Sequence, residues 1–533
     1  MISELQWTQG RRLHEIPERA ADVDADAPAL IVGERTFSFG AVVDRAQRAE
    51  AVVAECTTPG ARVAVVGDNH WSWVDAYYGV PKAGRILVFC NHRLAPPELR
   101  SVLDRSGATV LVGPRPELER IAPGPGVHTT FDLAEWDAAL ALALAPSRSG
   151  VVQRAHSPLD HAETHRGPEA DAWIIYTSGT TGRSKGAVLT HRSILAAVRA
   201  TDECRKIASD DVYLLPFPLC HIAGYNVVHH HAHGRPVVLV PRFDPAGFVD
   251  AVVRHRVTSA SLAATMLHAL LGYLDEQPAR LGDLATLRLI AYGAAPMPTP
   301  LLQRGHAVLG VDFTQGYGMT ELAGNAVFLD VEAHRSGLAG DPALLRTAGR
   351  PAPGVEVRVV DDADRPRPVG EAGEILVRAD QVMDRYWEEP AATATTLAGG
   401  WLHTGDVGRF DAAGYLAVVD RTKDVIVTGG ENVSSLEVEQ VIHAVPEVDE
   451  VAVVGVPDPR WGENVCAVVV ARPGTTVDAD ALVAAVRAEL AGFKVPRHVV
   501  VTDALPKNAT GKIVKAELRA WLTENPEELG ARR

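Results

Sequence analysis

The segment YTSGTTGRSKG at 176–186 crowds hydroxyls, glycines and one lysine into a stretch suited to holding the phosphates of a nucleotide. Gly179, Gly182 and Gly186 allow tight turns and close backbone approach to an anion. Thr177, Ser178, Thr180, Thr181, Ser184 and Lys185 add hydroxyl donors and a positive charge. It is not a Walker loop, because Lys185 is followed by Gly186 and not by Ser or Thr. A second constellation, QGYGMTE at 315–321, offers an aromatic face at Tyr317, tight backbone at Gly316 and Gly318, a hydroxyl at Thr320 and a carboxylate at Glu321. A lone carboxylate beside phosphates is the donor set Mg²⁺ prefers, with phosphate oxygens and water completing its shell. Around these lie AYGAAPMP at 291–298, whose Gly293, Ala294 and Ala295 suit close approach of a flat ligand, and WLHTGD at 401–406, ending in Asp406. DRTKDVIVTGGENV at 420–433 carries Arg421, Lys423 and the Gly429–Gly430 pair, and LPKNATGKIVK at 505–515 puts Lys512 in a polar turn.

Positioning such groups takes strands that end at one place. The apolar run Ala172 to Tyr176 predicts a buried strand before the first loop, and His191 to Ala200 has helical periodicity after it. β-branched runs at Arg62–Val66, Thr109–Val112, Val237–Val240, Leu287–Tyr292 and Val355–Val360 alternate with alanine-rich helical stretches, the rhythm of α/β layers. Residues 146–171 read as a loop feeding the strand before the phosphate loop. From about Asp424 the pattern starts afresh, with a helix at Leu436–Ala444, strands at Val451–Val456 and Val465–Ala471, and a helix at Asp478–Leu490. The expected fold is α/β: a large multi-sheet N-terminal domain over 1–422 and a small, mobile α+β C-terminal domain over 423–533, with the boundary near Arg421 to Lys423.

Composition narrows the class. Hydrophobic residues make up 47% and charged residues 22% of 533, the balance of a globular enzyme. A formal charge of −15 disfavours nucleic acid and anionic membranes as partners. Five cysteines without CxxC spacing suggest neither a zinc site nor a disulfide framework. No signal core and no long apolar stretch is visible, so a cytoplasmic protein without a transmembrane segment is expected, and a homodimer stays open.

Taken in order, the six segments resemble the adenylate-forming superfamily of acyl- and aryl-CoA synthetases, luciferases and peptide-synthetase adenylation domains, closest to the fatty acyl-CoA ligases. The resemblance runs from about Arg35 to Lys515. It implies that Thr177, Ser178, Gly179, Thr180, Thr181, Gly182 and Lys185 hold the β- and γ-phosphates of ATP. Gly293, Ala294 and Ala295 with Tyr317 would line the adenine, Gly316 and Gly318 would belong to the same ATP/AMP site, and Thr320 would contact the α-phosphate. Glu321 would bind Mg²⁺, Asp406 and Arg421 the ribose, and Lys512 would bridge the attacking carboxylate and the α-phosphate. A hinge at Lys423 would then turn the small domain and bring Gly429 and Gly430 to a channel for a pantetheine thiol. The implied activity is ATP-dependent formation of an acyl-adenylate, then transfer to the thiol of CoA. Loading of a carrier protein's phosphopantetheine is the alternative acceptor. A non-catalytic acyl or nucleotide sensor should have lost Lys512, Glu321 or the phosphate loop, and all are present.

LPFPLCHIAGYN at 215–226 matches the family's acyl-pocket motif, giving His221, Ala223, Gly224 and Tyr225 as lining residues, with Met266 nearby. No Asp lies between Asp211 and Asp244 to pair an α-amine, so amino acids are disfavoured. The small residues suggest an apolar slot for a fatty or other uncharged acid. His229 and His233 of HHHAH share helical i,i+4 spacing and could ligate a metal, but no Glu follows as in HExxH and the chemistry needs no such site.

Overall fold

The computed structural model describes residues 5–143, 167–177, 184–293, 297–421, 424–428, 431–458, 461–508 and 512–529. Among them the chain forms a seven-stranded and a nine-stranded sheet, each mostly parallel, a four-stranded antiparallel sheet, and a five-stranded C-terminal sheet. The seven-stranded sheet runs in the order Arg385–Tyr386, Lys185–Thr190, Asp171–Thr177, Ile86–Cys90, Arg62–Val66, Ala108–Val112, Thr129–Phe131. Its central strand Ile86–Cys90 is buried along its whole length, as a strand covered on both faces must be. Within the nine-stranded sheet, Ser259–Ser261, Leu289–Gly293 and Asp312–Met319 are parallel neighbours, and Gly324–Leu329 turns back antiparallel to the last of them.

The two large sheets share one core. Val63, Leu87, Trp173 and Leu189 from one pack with Tyr213, Leu215, Val237 and Val327 from the other. Helices Trp71–Lys82 and His191–Cys204 contribute Tyr77, Tyr78, Ile194, Leu195 and Val198 to it. Thr190 caps the second helix by accepting from Ser193 N, satisfying a backbone donor at the N-terminus. Separate cores cover the outer face of each sheet. The expected helix at His191–Ala200 thus runs on to Cys204, and QGYGM is itself strand, because Gln315 and Gly316 pair on both sides and Tyr317 to Met319 continue along the antiparallel neighbour.

The C-terminal part is built around the hairpin Val448–Asp458 and Gly462–Ala471, with helices Ser435–His443 and Ala479–Glu489 on one face and Lys515–Glu524 on the other. These two cores draw no residue from before Ile426. The fold is therefore the expected α/β arrangement of a large multi-sheet part and a small α+β part. Asp420, buried at the end of the strand Leu416–Arg421, accepts from Ser435 N at 2.6 Å and Ser435 Oγ at 2.7 Å, tying that strand to the first C-terminal helix. No helix of the described residues is long and apolar enough to cross a membrane.

The helix Tyr225–Ala232 buries His229, His230 and His231. His231 Nε2 donates to Ala29 O at 2.9 Å, which leaves Nδ1 to accept from Tyr78 OH at 2.8 Å, so the neutral ring is satisfied. Burial pushes His229 and His231 down to about 4. Above their ordinary pKa both folded and unfolded rings are neutral. Below it the unfolded chain binds protons first, so stability falls with pH until the folded rings titrate near 4. Each ring should remove roughly 1.4 kcal/mol per pH unit over that window. The urea midpoint is expected to be flat above pH ~7 and to drop steeply below ~6.5, with His231→Gln shallowing the slope; a slope unaltered by that change would mean that His231 titrates normally in the fold.

Candidate active site

A cavity of about 610 Å³ opens where the C-terminal ends of the parallel strands meet the small domain. Thr177 and Lys185 face each other across the last register pair of the strands Asp171–Thr177 and Lys185–Thr190, and both line it. Lys185 Nζ lies 5.1 Å from the centre of the Tyr386 ring. From the other large sheet, the strand Asp312–Met319 carries Gly316 and Gly318 to the wall and passes into a single turn at Thr320–Leu322, where Thr320 and Glu321 also line the cavity. At Gly318 a Cβ would sit 2.0 Å from Gly324 O, so only glycine allows the strands to close here.

Glu321 is buried, and its Oε1 accepts from Tyr386 OH at 2.8 Å and from Thr177 Oγ1 at 3.3 Å. Its Oε2 has no hydrogen bond among the described residues. A carboxylate oriented through one oxygen, with the other available at the wall of a phosphate-sized cavity, is a donor that fits Mg²⁺. Burial and the adjacent Glu321 charge both raise the Tyr386 phenol, so it stays protonated and donates. Tyr386 was not singled out in the sequence. It sits 65 positions beyond Glu321 and reaches it by adding an edge strand to the seven-stranded sheet at Ala187 and Val188.

An adjoining cavity of about 320 Å³ is lined by Gly293, Gly316, Tyr317, Gly318, Asp406 and Lys512, among others. Tyr317 OH donates to Asp406 Oδ2 at 2.8 Å, and Asp406 is buried on the strand Leu402–Phe410, opposite Arg421. Lys512 lines both cavities, and its backbone N donates to Asn508 Oδ1 at 2.9 Å. Thr177, Lys185, Gly293, Gly316, Tyr317, Gly318, Thr320, Glu321, Asp406 and Lys512 thus converge, although they span more than half the chain. Ser178, Gly179, Thr180, Thr181, Gly182, Ala294, Ala295, Lys423, Gly429 and Gly430 lie outside the described residues, as does the side chain of Arg421.

Of the acyl-slot residues, His221, Ala223 and Tyr225 line the larger cavity with Phe217, Ile222 and Ala263. Burial pushes His221 down to about 4, so its ring is neutral. Gly224 and Met266 do not line it. A Cβ on Gly224 would lie 2.0 Å from Tyr77 OH, so this glycine faces the core, where Tyr77 OH donates to Leu219 O at 2.6 Å. Met266, on the helix Ala264–Glu276, packs against the core on the outer face of the nine-stranded sheet, and the preceding Ala264 and Thr265 take the wall.

His229 and His233 do gain a carboxylate, from Asp202 on the preceding helix, and the three ligand atoms lie within 4.8 Å of one another. Hydrogen bonds already occupy them. His233 Nε2 donates to Asp202 Oδ1 at 2.7 Å. His229 Nδ1 faces the Arg205 guanidinium at 3.3 Å and must accept, so its Nε2 carries the proton and points to Asp202. The constellation is a hydrogen-bonded relay between two helices.

The model of AMP-binding enzymes matches residues 17–387, and that of the AMP-binding enzyme C-terminal domain matches residues 437–512. The chain is 37% identical to a feruloyl-CoA synthase of Amycolatopsis sp, over 94% of this chain and 97% of that protein. It is 35% identical to a fatty acid–[acyl-carrier-protein] ligase, ScoC, of Streptomyces coeruleorubidus, covering 94% of each. Among solved structures it is similar to the o-succinylbenzoate CoA synthetase of Bacillus subtilis in complex with its acyl-adenylate intermediate, with a TM-score of 0.80 and 29% identity over 95% of this chain and 97% of that one.

The facing of Gly224 makes a substitution there diagnostic. Gly224→Leu is expected to destabilise the fold by about 1 to 3 kcal/mol through overpacking against Tyr77, seen as a lower melting temperature, without reordering the preference among acids. A stable variant that favours shorter acids would instead put Gly224 on the slot.

Proposed function

Since the chain belongs to the AMP-binding enzyme family, we propose that it is an AMP-forming acid–thiol ligase. A substrate carboxylate oxygen attacks the α-phosphorus of ATP, the bond to the β-phosphate bridging oxygen breaks, and pyrophosphate leaves. The thiol of CoA then attacks the acyl carbon of the mixed anhydride, AMP departs, and the thiol proton is lost to solvent. The observation that carries this reading is a single cavity reaching from Lys185 and Glu321, through Lys512, to the apolar wall of Phe217, Ile222 and Ala223.

The first step brings two anions together, so positive charge is needed where they meet. Lys512 lies where it could neutralise the approaching carboxylate and the α-phosphate, while Lys185 and Thr177 serve the phosphates that leave. Bound to Glu321 and phosphate oxygens, Mg²⁺ would supply further neutralisation of the polyphosphate. Tyr317 and Gly316 would pack on the adenosine, with Asp406 accepting from the ribose hydroxyls. For the acid itself the finer reading is a fatty acid, supported by the apolar walls Phe217, Ile222, Ala263 and Phe328. Similarity to ScoC gives a second reading for the acceptor, the phosphopantetheine thiol of a carrier protein. The basic residues of the small domain do not separate the two. Lys494 pairs with Glu437, Lys507 with Glu450, Lys515 with Glu439 and Arg519 with Asp424, while Arg497 lies over the Trp461 ring.

The deciding experiment is pyrophosphate release from a panel of carboxylic acids without thiol, repeated with CoA or a holo carrier protein and read by mass spectrometry. Acyl-CoA is the expected product; acyl-adenylate with only the carrier acylated would give the acceptor to the second reading. Lys512→Ala should lower adenylation by roughly 100-fold or more while sparing thioester formation from supplied acyl-adenylate, and equal losses in both halves would make Lys512 structural. Glu321→Gln should raise the magnesium concentration needed for half-maximal pyrophosphate release, because an amide oxygen replaces an anionic one; an unchanged requirement would remove Glu321 from the metal site.

A further inference from the structure

The acyl end of the larger cavity contains a cation that an apolar slot does not need. Arg205 follows the helix His191–Cys204 as its C-cap, is only 8% exposed, and lines the cavity with Tyr225, Asn226, Ser261 and Asn325. Both of its hydrogen bonds leave from Nη2, one to Asn226 Oδ1 and one to His229 Nδ1 at 3.3 Å. Nε and Nη1 make none among the described residues, and no described carboxylate lies within the 4.0 Å of an ion pair. Asp202 is separated from it by the His229 ring, and its oxygens are engaged by His233 at 2.7 Å and Lys206 at 3.6 Å. The His229 ring is neutral, since burial pushes it down to about 4, so it accepts from the guanidinium without balancing its charge.

Burying a guanidinium without a counter-charge costs several kcal/mol unless something else supplies the anion or a full set of acceptors. Its planar fork is matched by a carboxylate, which can accept two parallel N–H bonds. The reacting carboxylate of the substrate is directed to the other end of the cavity, towards Lys512 and Glu321. Resting on the ligase reading above, we propose that the substrate acid carries a second oxygen acceptor, a carboxylate foremost, at the end remote from the reacting group, and that Arg205 receives it. Asn226 holds the guanidinium in place through its Oδ1 while its own Nδ2 donates to Ala223 O at 2.9 Å. The substrate class is then an acid with an apolar middle and a polar far end, and Arg205 is its specificity-determining residue.

The test compares acids of equal length that differ only at the far end: hexanoic, 6-hydroxyhexanoic and adipic; octanoic, 8-hydroxyoctanoic and suberic; cinnamic, 4-hydroxycinnamic and 4-carboxycinnamic. In the wild-type enzyme the oxygen-bearing member of the best set should exceed its unsubstituted partner in kcat/KM for pyrophosphate release by about tenfold or more, because a bound analogue that cannot pair the guanidinium donors would strip them of water without replacing it. Carboxylate outperforming hydroxyl would assign the group as anionic, and hydroxyl outperforming carboxylate as a neutral acceptor. Arg205→Met should reverse the preference, and Arg205→Lys should retain part of it. Unsubstituted acids favoured in every set, or a ratio that Arg205→Met leaves unchanged while lowering both rates alike, would overturn the inference and make Arg205 structural. Should no acid release pyrophosphate, the ligase reading fails by itself. Calorimetric titration of adipic and hexanoic acid into the wild-type protein and Arg205→Met then still decides: Arg205-dependent binding of the diacid alone supports the site, and any other result refutes it.

Discussion

The position of the Glu321 carboxylate is the constraint on which the rest of the site depends. It belongs to the nine-stranded sheet by sequence and to the seven-stranded sheet by hydrogen bonding, since both Tyr386 OH and Thr177 Oγ1 that donate to it come from the latter. A buried carboxylate needs such donors, because an ionised group taken out of water and left unpaired costs several kcal/mol. Meeting that need fixes how far apart the two sheets stand at their carboxyl ends. That spacing is the width of the cavity. The backbone supports the same arrangement, with Met383 N donating to Glu321 O at 2.8 Å and Gln381 Nε2 donating to Leu322 O at 2.8 Å.

From this follows the distribution of charge. One buried carboxylate between the sheets attracts cations, and the cavity is lined by lysines from two directions: Lys185 from the strand next to Thr177, and Lys512 from the small domain. The first is held by the sheet register. The second is carried by the small domain, which Asp420 joins to the large one through Ser435. The part that carries Lys512 has cores of its own, as the proposed use of that lysine in one half-reaction only would require.

Much of this was legible in the sequence because it is local. The flanks of the 176–186 segment, the strand Asp312–Met319 with its following turn, Asp406 and Lys512 each announce themselves within a dozen residues, and the α/β rhythm predicted the layers that hold them. Where the reading went astray, the cause is phase. Gly224 and Met266 neighbour true lining residues in sequence, but a turn of helix rotates successive side chains by about 100°, so one faces Tyr77 and the other the outer core. Tyr386 could not be found at all by local reading, since its role exists only once a distant edge strand has paired with Ala187 and Val188.

Arg205 illustrates a different limit. The helix expected from the sequence ends at Ala200 and leaves out Arg205, which the structure places as its C-cap, where the helix dipole favours a cation. Here the residue is only 8% exposed, held by Asn226 against the Tyr213 ring at the wall of the cavity. The relay from Asp202 through His229 steadies it without neutralising it, because a neutral imidazole passes on hydrogen-bond direction and little charge. The polar histidines on that helix and the apolar slot beside it are therefore one arrangement. A wall that would otherwise suit hydrocarbon along its length ends in a fixed, donor-rich surface, and what can fill it is decided by the far end of the acid as much as by the carboxylate that reacts.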